Sequence, residues 1–438
     1  MNQIDQRIQF VSCGSCALSP TMSSIMPTSA VKDPRQCPVL RNLQFSPVKE
    51  GGEQYMMLWD PTGLSKEKLV LPLNYFFIVQ HFDGAHSLTD IGALYLKRFG
   101  EFLMPDKVEQ LVTDMDQKLF LEGDRTEAAK QQAQLAYRQA PLRAAAFAGR
   151  SYEADGSKLK KQIDGFFTSP EGPDLKPSEN RGKPIKGLVV PSYDLKQAGP
   201  IYAWAYKELL EAQQPAVFVV IGTANAGLAN VFALTDKDFE TPLGVVRTDK
   251  PVLDRLRSRL PEFFAEDVAH QSEPAIEFQL PFLQTNTGAA APTTIVPILS
   301  SFSAISLRDA EVRNRVDRVL TILREAMAAS GQSVCVIAAG ALAHLGMRYG
   351  DASPPTDFSF HRSMQHDLEM LKHVEELDAE AFAAYVQNEN DRRRISGFSP
   401  IYCLLRLIQA EKGQVLRYDR GITDQYNSTV TYASMVFY

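Results

Sequence analysis

The sequence predicts an α/β fold, layered around a largely parallel sheet and preceded by a small, mostly helical domain. From Gly187 onward, short runs rich in β-branched residues alternate with helical patterns. One of these helices, Glu311 to Met327, carries Val312, Val316, Val319, Leu320, Leu323 and Met327 as a continuous apolar stripe suited to packing on a sheet. Before residue 126 the pattern differs, with a strand and turn followed by three helical stretches. At 438 residues the chain exceeds one ordinary core, and its 45% apolar and 22% charged content is that of a soluble globular protein.

Residues 1–36 have no apolar periodicity and several Pro and Ser, and are expected to form a disordered extension. Cys13-Gly-Ser-Cys16, with Cys37 just beyond, is a weak candidate metal or dithiol site, because thiolates on one turn can grip a soft ion. A single pair without a nearby His favours incidental cysteines. Five cysteines, an odd number, do not make a disulfide framework in a chain of this size, and Cys335 and Cys403 sit in apolar runs that read as packing.

Residues 37–125 read as a winged-helix unit. Gln54 to Trp59 is a strand, and Asp60-Pro-Thr-Gly63 turns it, since Pro fixes φ and Gly permits the reversal. Helical patterns follow through Leu73 to Gln80, after the cap Ser87-Leu-Thr-Asp90, and from Pro105 to Leu119. In the last, Val108, Leu111, Val112, Met115 and Leu119 share one face. This order is similar to the PqqD-like domains, winged helices that often hold a peptide or partner protein, and the resemblance implies a protein or peptide partner here. Asp106, Glu109, Asp114 and Asp116 outnumber Lys107 and Lys118 on the third helix, the wrong sign for a DNA reader. The net charge of −6 likewise gives no basic field for nucleic acid.

Residues 126–150 are rich in helix formers and are expected to be a connecting helix. No apolar run approaches the ~18 residues that span a bilayer, and the N-terminus lacks an apolar signal core, so a cytoplasmic protein without a membrane contact is expected.

In the α/β domain, residues 151–438, strands are expected at Leu188 to Pro191, Val217 to Ile221, Val231 to Thr235, Thr294 to Leu299, Val334 to Ala338 and Thr429 to Phe437. Functional groups should gather at their carboxyl ends. Gly187-Leu-Val-Val-Pro-Ser-Tyr193, Val220-Ile-Gly-Thr-Ala-Asn-Ala-Gly227 and Glu273-Pro-Ala-Ile-Glu-Phe-Gln-Leu-Pro-Phe-Leu283 occur in this order, with Glu240-Thr-Pro-Leu-Gly244 between the second and third. Together with Ala338 to Gly346 and Ser396 to Ile401, they resemble the Memo family, also called component B of the AmmeMemoRadiSam system. The resemblance implies a layered fold shared with class III extradiol dioxygenases. It also implies a pocket with two His and a Cys as metal ligands, supported by a further His, an Asp and another His.

Mapped position by position, the two family ligand histidines fall on Ser192 and Asn225, and the ligand cysteine falls on Ser396, with Gly397 retained. The supporting His falls on Pro274 and the Asp on Ala341, while His344 remains beside Glu273, Glu277 and Gln279. A neutral hydroxyl and an amide are poor substitutes for imidazole and thiolate toward iron, copper or zinc. The expected pocket is therefore Ser192, Asn225, Glu273, Ala341, His344 and Ser396, without metal or other cofactor.

The leading expectation is a non-catalytic pseudoenzyme that binds or assembles, with a radical-SAM partner implied by family analogy. The alternative is a metal-independent enzyme using His344 and Glu273 as acid/base groups, with Glu273 and Glu277 on one helix face as base and partner. Gly222 to Gly227 lacks the Lys-Ser/Thr of a phosphate loop. His361, His366 and His373 read as solvated helix residues, and Asp391-Arg-Arg-Arg394 as a loop that could dock an acidic partner.

Overall fold

The computed structural model describes residues 36–438 except Pro61, Leu175 and 287–293. The expected extension, with Cys13 and Cys16, lies outside the described residues apart from Gln36. The chain divides into two compact units, with the boundary between Ala140 and Pro141.

The first unit comprises β1 (Val39–Leu40), β2 (Gln44–Glu50), β3 (Glu53–Trp59), β4 (Lys68–Pro72), α1 (Leu73–Val79), α2 (Leu88–Phe99), α3 (Pro105–Gln117), β5 (Leu121–Glu122) and α4 (Asp124–Gln139). β2, β3 and β4 form an antiparallel sheet, and β1 pairs with β5. Leu58, Leu71, Phe76, Ile78, Ile91, Val108, Val112 and Met115 make its core. Helix α2 starts on a reciprocal capping box between Ser87 and Asp90. The buried pair Arg41–Asp60 (3.0 Å) ties the turn after β3 to the Leu119 carbonyl, which Arg41 also reaches at 2.6 Å. Cys37 is a buried free thiol.

The connecting helix is shorter than expected. α4 stops at Gln139, because Pro141 lacks an N–H and drives Ala140 into extended geometry (φ −66°, ψ 132°). Residues from Leu142 already belong to the second unit.

That unit contains β6 (Leu142–Arg143), α5 (Gly156–Thr168), β7 (Gly187–Val190), α6 (Leu195–Glu211), β8 (Val217–Thr223), β9 (Phe232–Leu234), β10 (Asp238–Thr241), β11 (Gly244–Thr248) and α7 (Lys250–Arg259). It continues through α8 (Pro274–Glu277), α9 (Leu280–Asn286), β12 (Thr294–Ser300), α10 (Ala310–Ser330), β13 (Val334–Ala339), β14 (His344–Leu345), α11 (Asp357–Glu375), α12 (Ala379–Asn388), α13 (Phe398–Leu407), β15 (Gly413–Ile422) and β16 (Thr429–Phe437). The sheet runs β14-β16-β7-β13-β8-β12-β11-β10-β6, with β15 on β16 and β9 on β12. Its centre, β7-β13-β8-β12, is parallel.

The central strands are apolar throughout because both faces are covered. In β8, Val217, Val219 and Ile221 enter one core with Leu320 and Leu323 of α10. Phe218 and Val220 enter the other with Tyr202 and Tyr206 of α6. The strand period of two thus assigns alternate residues to opposite layers. The fold is mixed α/β around a large sheet that is parallel at its centre. Cys335 and Cys403 are buried, and burial pushes both thiols upward, away from reactivity.

Candidate functional site

Register sets the place. Val190 of β7 and Gly222 of β8 both lie opposite Ala339 of β13, and Thr223 lies opposite Ser300 of β12, so the parallel strands end level. Ser192, Asn225 and Ala341 follow these ends within two or three residues.

Two glycines allow the remaining elements to close on them. A Cβ on Gly222 would sit 2.7 Å from the Ala275 Cβ, so only glycine lets α8 lie this close to β8. A Cβ on Gly340 would sit 2.4 Å from the Gly397 Cα, which locks the loop after β13 against the loop before α13. Across that contact the Ala341 carbonyl accepts from the Gly397 N–H (2.6 Å) and the Ser396 hydroxyl (3.3 Å), and Thr223 donates to the Ser396 carbonyl (2.9 Å).

The approach of α8 brings Glu273 to Asn225. The Asn225 backbone N–H donates to Oε2 (2.9 Å) and its Nδ2 donates to Oε1 (2.7 Å). Glu273 is 8% exposed, and burial pushes its pKa up to about 7 against the opposing effect of the Asn225 bonds, a bond from the Ala275 N–H and the charge of Arg143. The Ser192 hydroxyl is buried and has no hydrogen-bond partner among the described residues.

His344, in β14 opposite Val430, directs Nδ1 to the carbonyls of Arg394 (2.9 Å) and Leu342 (3.1 Å). Two acceptors assign the proton to Nδ1, and burial holds the ring's pKa below the usual imidazole value, so it is neutral with Nε2 as an acceptor. Tyr349 packs edge-on against it, centroids 4.9 Å apart.

Three expectations need correction. Glu277 is not a partner of Glu273 but a fully buried anchor. It binds Arg143 and accepts from Tyr152, from the Phe147 N–H (2.8 Å) and from the Ala146 N–H (3.1 Å). Arg143 also donates to the carbonyls of His270 (2.8 Å), Ala144 (2.9 Å) and Glu273 (3.1 Å). Arg143 escaped the sequence reading, although a carboxylate at Glu277 within an apolar run signals a buried cation somewhere.

The basic run at 391–394 is a clamp rather than a docking surface. Arg393 is buried against Asp367 and Glu389, and Asp367 also accepts from Thr431 (2.7 Å) and Tyr418 (2.8 Å). Arg394 holds Asp351 (2.8 Å) and the His344 carbonyl (3.1 Å). Asn390, Asp391 and Arg394 have left-handed backbone, a cost that these bonds offset. Finally, His366 is not free of carboxylates, since Glu389 lies at 3.3 Å and Glu369 at 3.8 Å.

The metal that the family resemblance implies does not fit these donors. Asn225 presents N–H groups to Glu273, and the Ser396 hydroxyl donates to a carbonyl. Among the described residues no three His, Cys, Asp or Glu side chains converge on a point. Cys37 belongs to the first unit, and Cys13 and Cys16 lie outside the described residues.

Residues 143–436 match the family model described as Memo-like protein. A MEMO1 family protein of Aquifex aeolicus is 24% identical over 402 residues, covering 90% of this chain and 99% of its own length. One from Methanopyrus kandleri is 27% identical over 302 residues (67% and 98%), and one from Thermus thermophilus is 25% identical over 332 (75% and 92%). The matched region starts at the buried Arg143 and takes in nearly all of the second unit, and the chain is therefore a member of the Memo-like family.

Proposed function

We propose that this protein is a metal-free, non-catalytic Memo-like component that binds or assembles rather than turns over. One observation carries the reading: at two of the positions where the family places metal ligands the side chains are neutral donors already engaged, Asn225 with the Glu273 carboxylate and Ser396 with the Ala341 carbonyl. With His344 as the one imidazole and no thiolate among these residues, there is no converging ligand set to hold a transition metal or lower the pKa of a bound water.

In this reading the first unit is a PqqD-like winged helix that docks a protein or peptide. The side of its sheet away from the core carries Val48, Tyr55, Met57, Trp59 and Val70, an apolar face of the kind partners cover. A radical-SAM or peptide-modifying system of the AmmeMemoRadiSam kind is the partner class that family analogy supports. No helix among the described residues is long and apolar enough to cross a membrane, and we place the protein in the cytoplasm.

Elemental analysis of the purified full chain tests the reading. Iron, copper and zinc are expected well below one per chain, and a stoichiometric metal within residues 187–438 would overturn it.

A second reading, acid/base catalysis by Glu273 and His344, draws support from the Glu273 carboxyl titrating at about 7, where a general base works. It requires that His344→Ala abolish a turnover of the folded protein.

A further inference from the structure

We infer that a cleft between α5, α6 and α9 binds a small uncharged molecule, an apolar body that carries a carbonyl oxygen beside an N–H or O–H group. It is a second site, apart from the strand ends, and it does not depend on whether the chain holds a metal.

α6 starts beyond the carboxyl end of β7 and leads to the start of β8, and both strands run parallel to β13. Such a crossover returns to the opposite edge of the sheet, so Lys207, Leu210 and Glu211 near the end of α6 lie away from the strand-end pocket. There they meet Gly165, Phe167 and Thr168 of α5 and Thr285 of α9 around a cleft of about 580 Å³. That is within the ~300–1,000 Å³ of small-molecule sites. The aromatic packing beneath it is fixed, because Phe282 stacks on Tyr206 (centroids 4.8 Å) and meets Phe167 edge-on (6.4 Å). Leu210 is 42% exposed, apolar surface that a ligand would cover.

The first ground is a glycine. Gly165 lies within α5, although glycine is the poorest helix former after proline. A Cβ there would meet nothing within 4 Å, so no close approach asks for glycine. The missing side chain leaves the cleft open.

The second ground is Lys207. It is 7% exposed, and its Nζ has one partner among the described residues, the Glu211 Oε1 at 3.2 Å. An ammonium has three N–H groups, which leaves two for a group in the cleft. Glu211 is itself committed on both sides, since its Oε2 accepts from the Ser178 N–H (2.6 Å).

The third ground is a pair of hydroxyls. Thr168 and Thr285 direct their protons to carbonyls of their own helices, Gly165 (3.5 Å) and Pro281 (3.0 Å). Each oxygen is left as an acceptor.

The fourth ground is charge balance. Lys207 is matched by Glu211, and Asp164, which also lines the cleft, is matched by Lys160 (2.9 Å). A charged ligand of either sign would give up water without finding an unmatched counter-charge. The cleft thus offers donors and acceptors without net charge. A carboxamide answers both, with its oxygen toward Lys207 and its N–H toward a threonine oxygen. An alcohol does so with a single hydroxyl.

The test titrates the full chain with benzamide and follows amide chemical shifts. Benzoate and benzylammonium are the controls, since they keep the ring and carry a charge of either sign. Saturable binding is expected for benzamide, roughly tenfold tighter than for either control, with the resonances of Thr168, Lys207 and Leu210 moving. Gly165→Leu puts a side chain into the open space and replaces glycine by a better helix former, so the variant should fold and lose the binding. Lys207→Met keeps the apolar stem and removes the ammonium, and should weaken binding about tenfold, as for loss of a hydrogen bond to a charged group. Gly165→Leu carries the test if Lys207→Met fails to fold.

A chain that shows no saturable binding of benzamide overturns the inference. So does equal binding of benzoate or benzylammonium, or binding that Gly165→Leu leaves unchanged. None of these outcomes touches the metal-free reading, which elemental analysis tests by itself.

Discussion

Glu273 and Glu277 sit at the two ends of one helical turn, yet their surroundings follow opposite rules. Glu277 is sealed from solvent, paired with Arg143 and supplied with three further donors, so its charge is fully answered inside the protein. Glu273 is nearly as buried but accepts only from neutral donors, an asparagine that itself lies exposed at the strand ends and the Ala275 N–H, with Arg143 acting on it as a nearby charge and not as an ion-pair partner. A charge answered within the fold is architecture, whereas one left short at an accessible edge is available to a ligand. On the proposed reading, the difference separates the part of the family scaffold that holds the shape from the part open to other molecules.

Removing Arg143 should have the largest effect. Arg143→Ala strands the Glu277 carboxylate and should destabilise the second unit by about 3–5 kcal/mol in chemical denaturation. Adding Glu277→Gln to that variant should recover part of the loss, because no buried charge remains. A cost below about 1 kcal/mol for Arg143→Ala would break the comparison, since ordinary surface pairs cost no more than that.

Arg393 invites a related experiment of slightly smaller expected size. Arg393→Met leaves Asp367 with Thr431 and Tyr418 as donors but no cation. A loss of about 3 kcal/mol is expected. Because Arg393 precedes Ser396 by three residues, the amide resonances of Ser396 and Gly397 should shift as well. Stability lost without any change there would detach this clamp from the pocket.

These clamps also mark the limit of what the sequence could tell. The parallel strands were legible because burial on both faces demands uninterrupted Val, Ile and Leu, and α10 was legible because one wet face leaves a stripe. β15 was missed, since Gln414, Arg417, Asp419 and Arg420 give it a half-wet character that reads as strand only beside β16. The hairpin of β10 and β11 was hidden for the same reason, at Glu240 and Arg247. The run at 391–394 looked solvated because Asp367 lies 26 residues away in sequence, on α11. The family motifs gave the positions that meet at the strand ends. The bonds among them, such as the grip of Asn225 on Glu273, depend on the packing of α8 against Gly222, which no spacing encodes.

The pH dependence of Glu273 sharpens the comparison at a more modest scale. Its folded pKa is raised from 4.5 to about 7, so folding favours the protonated form. The corresponding stability is fully present below about 4.5 and is lost as pH rises through about 7. Relative to the parent, Glu273→Gln should therefore gain stability between pH 5 and pH 8, by up to roughly 3 kcal/mol. The change across pH matters here, because the altered bond to Asn225 contributes equally at both ends. A difference that stays flat across that range would mean that Asn225, the Ala275 N–H and the charge of Arg143 together satisfy the carboxylate and that the contrast with Glu277 is false.

The smallest effect belongs to Ser192, and its sign is the informative part. A hydroxyl in use loses about 1 kcal/mol when deleted, whereas an unpartnered buried one releases its desolvation cost. Ser192→Ala should leave the free protein unchanged or raise its stability by up to about 1 kcal/mol. Thermal denaturation of both proteins reads this sign directly. A variant less stable than the parent in plain buffer would show that Ser192 already has a partner, and the strand-end pocket would then join Glu277 on the structural side of the comparison.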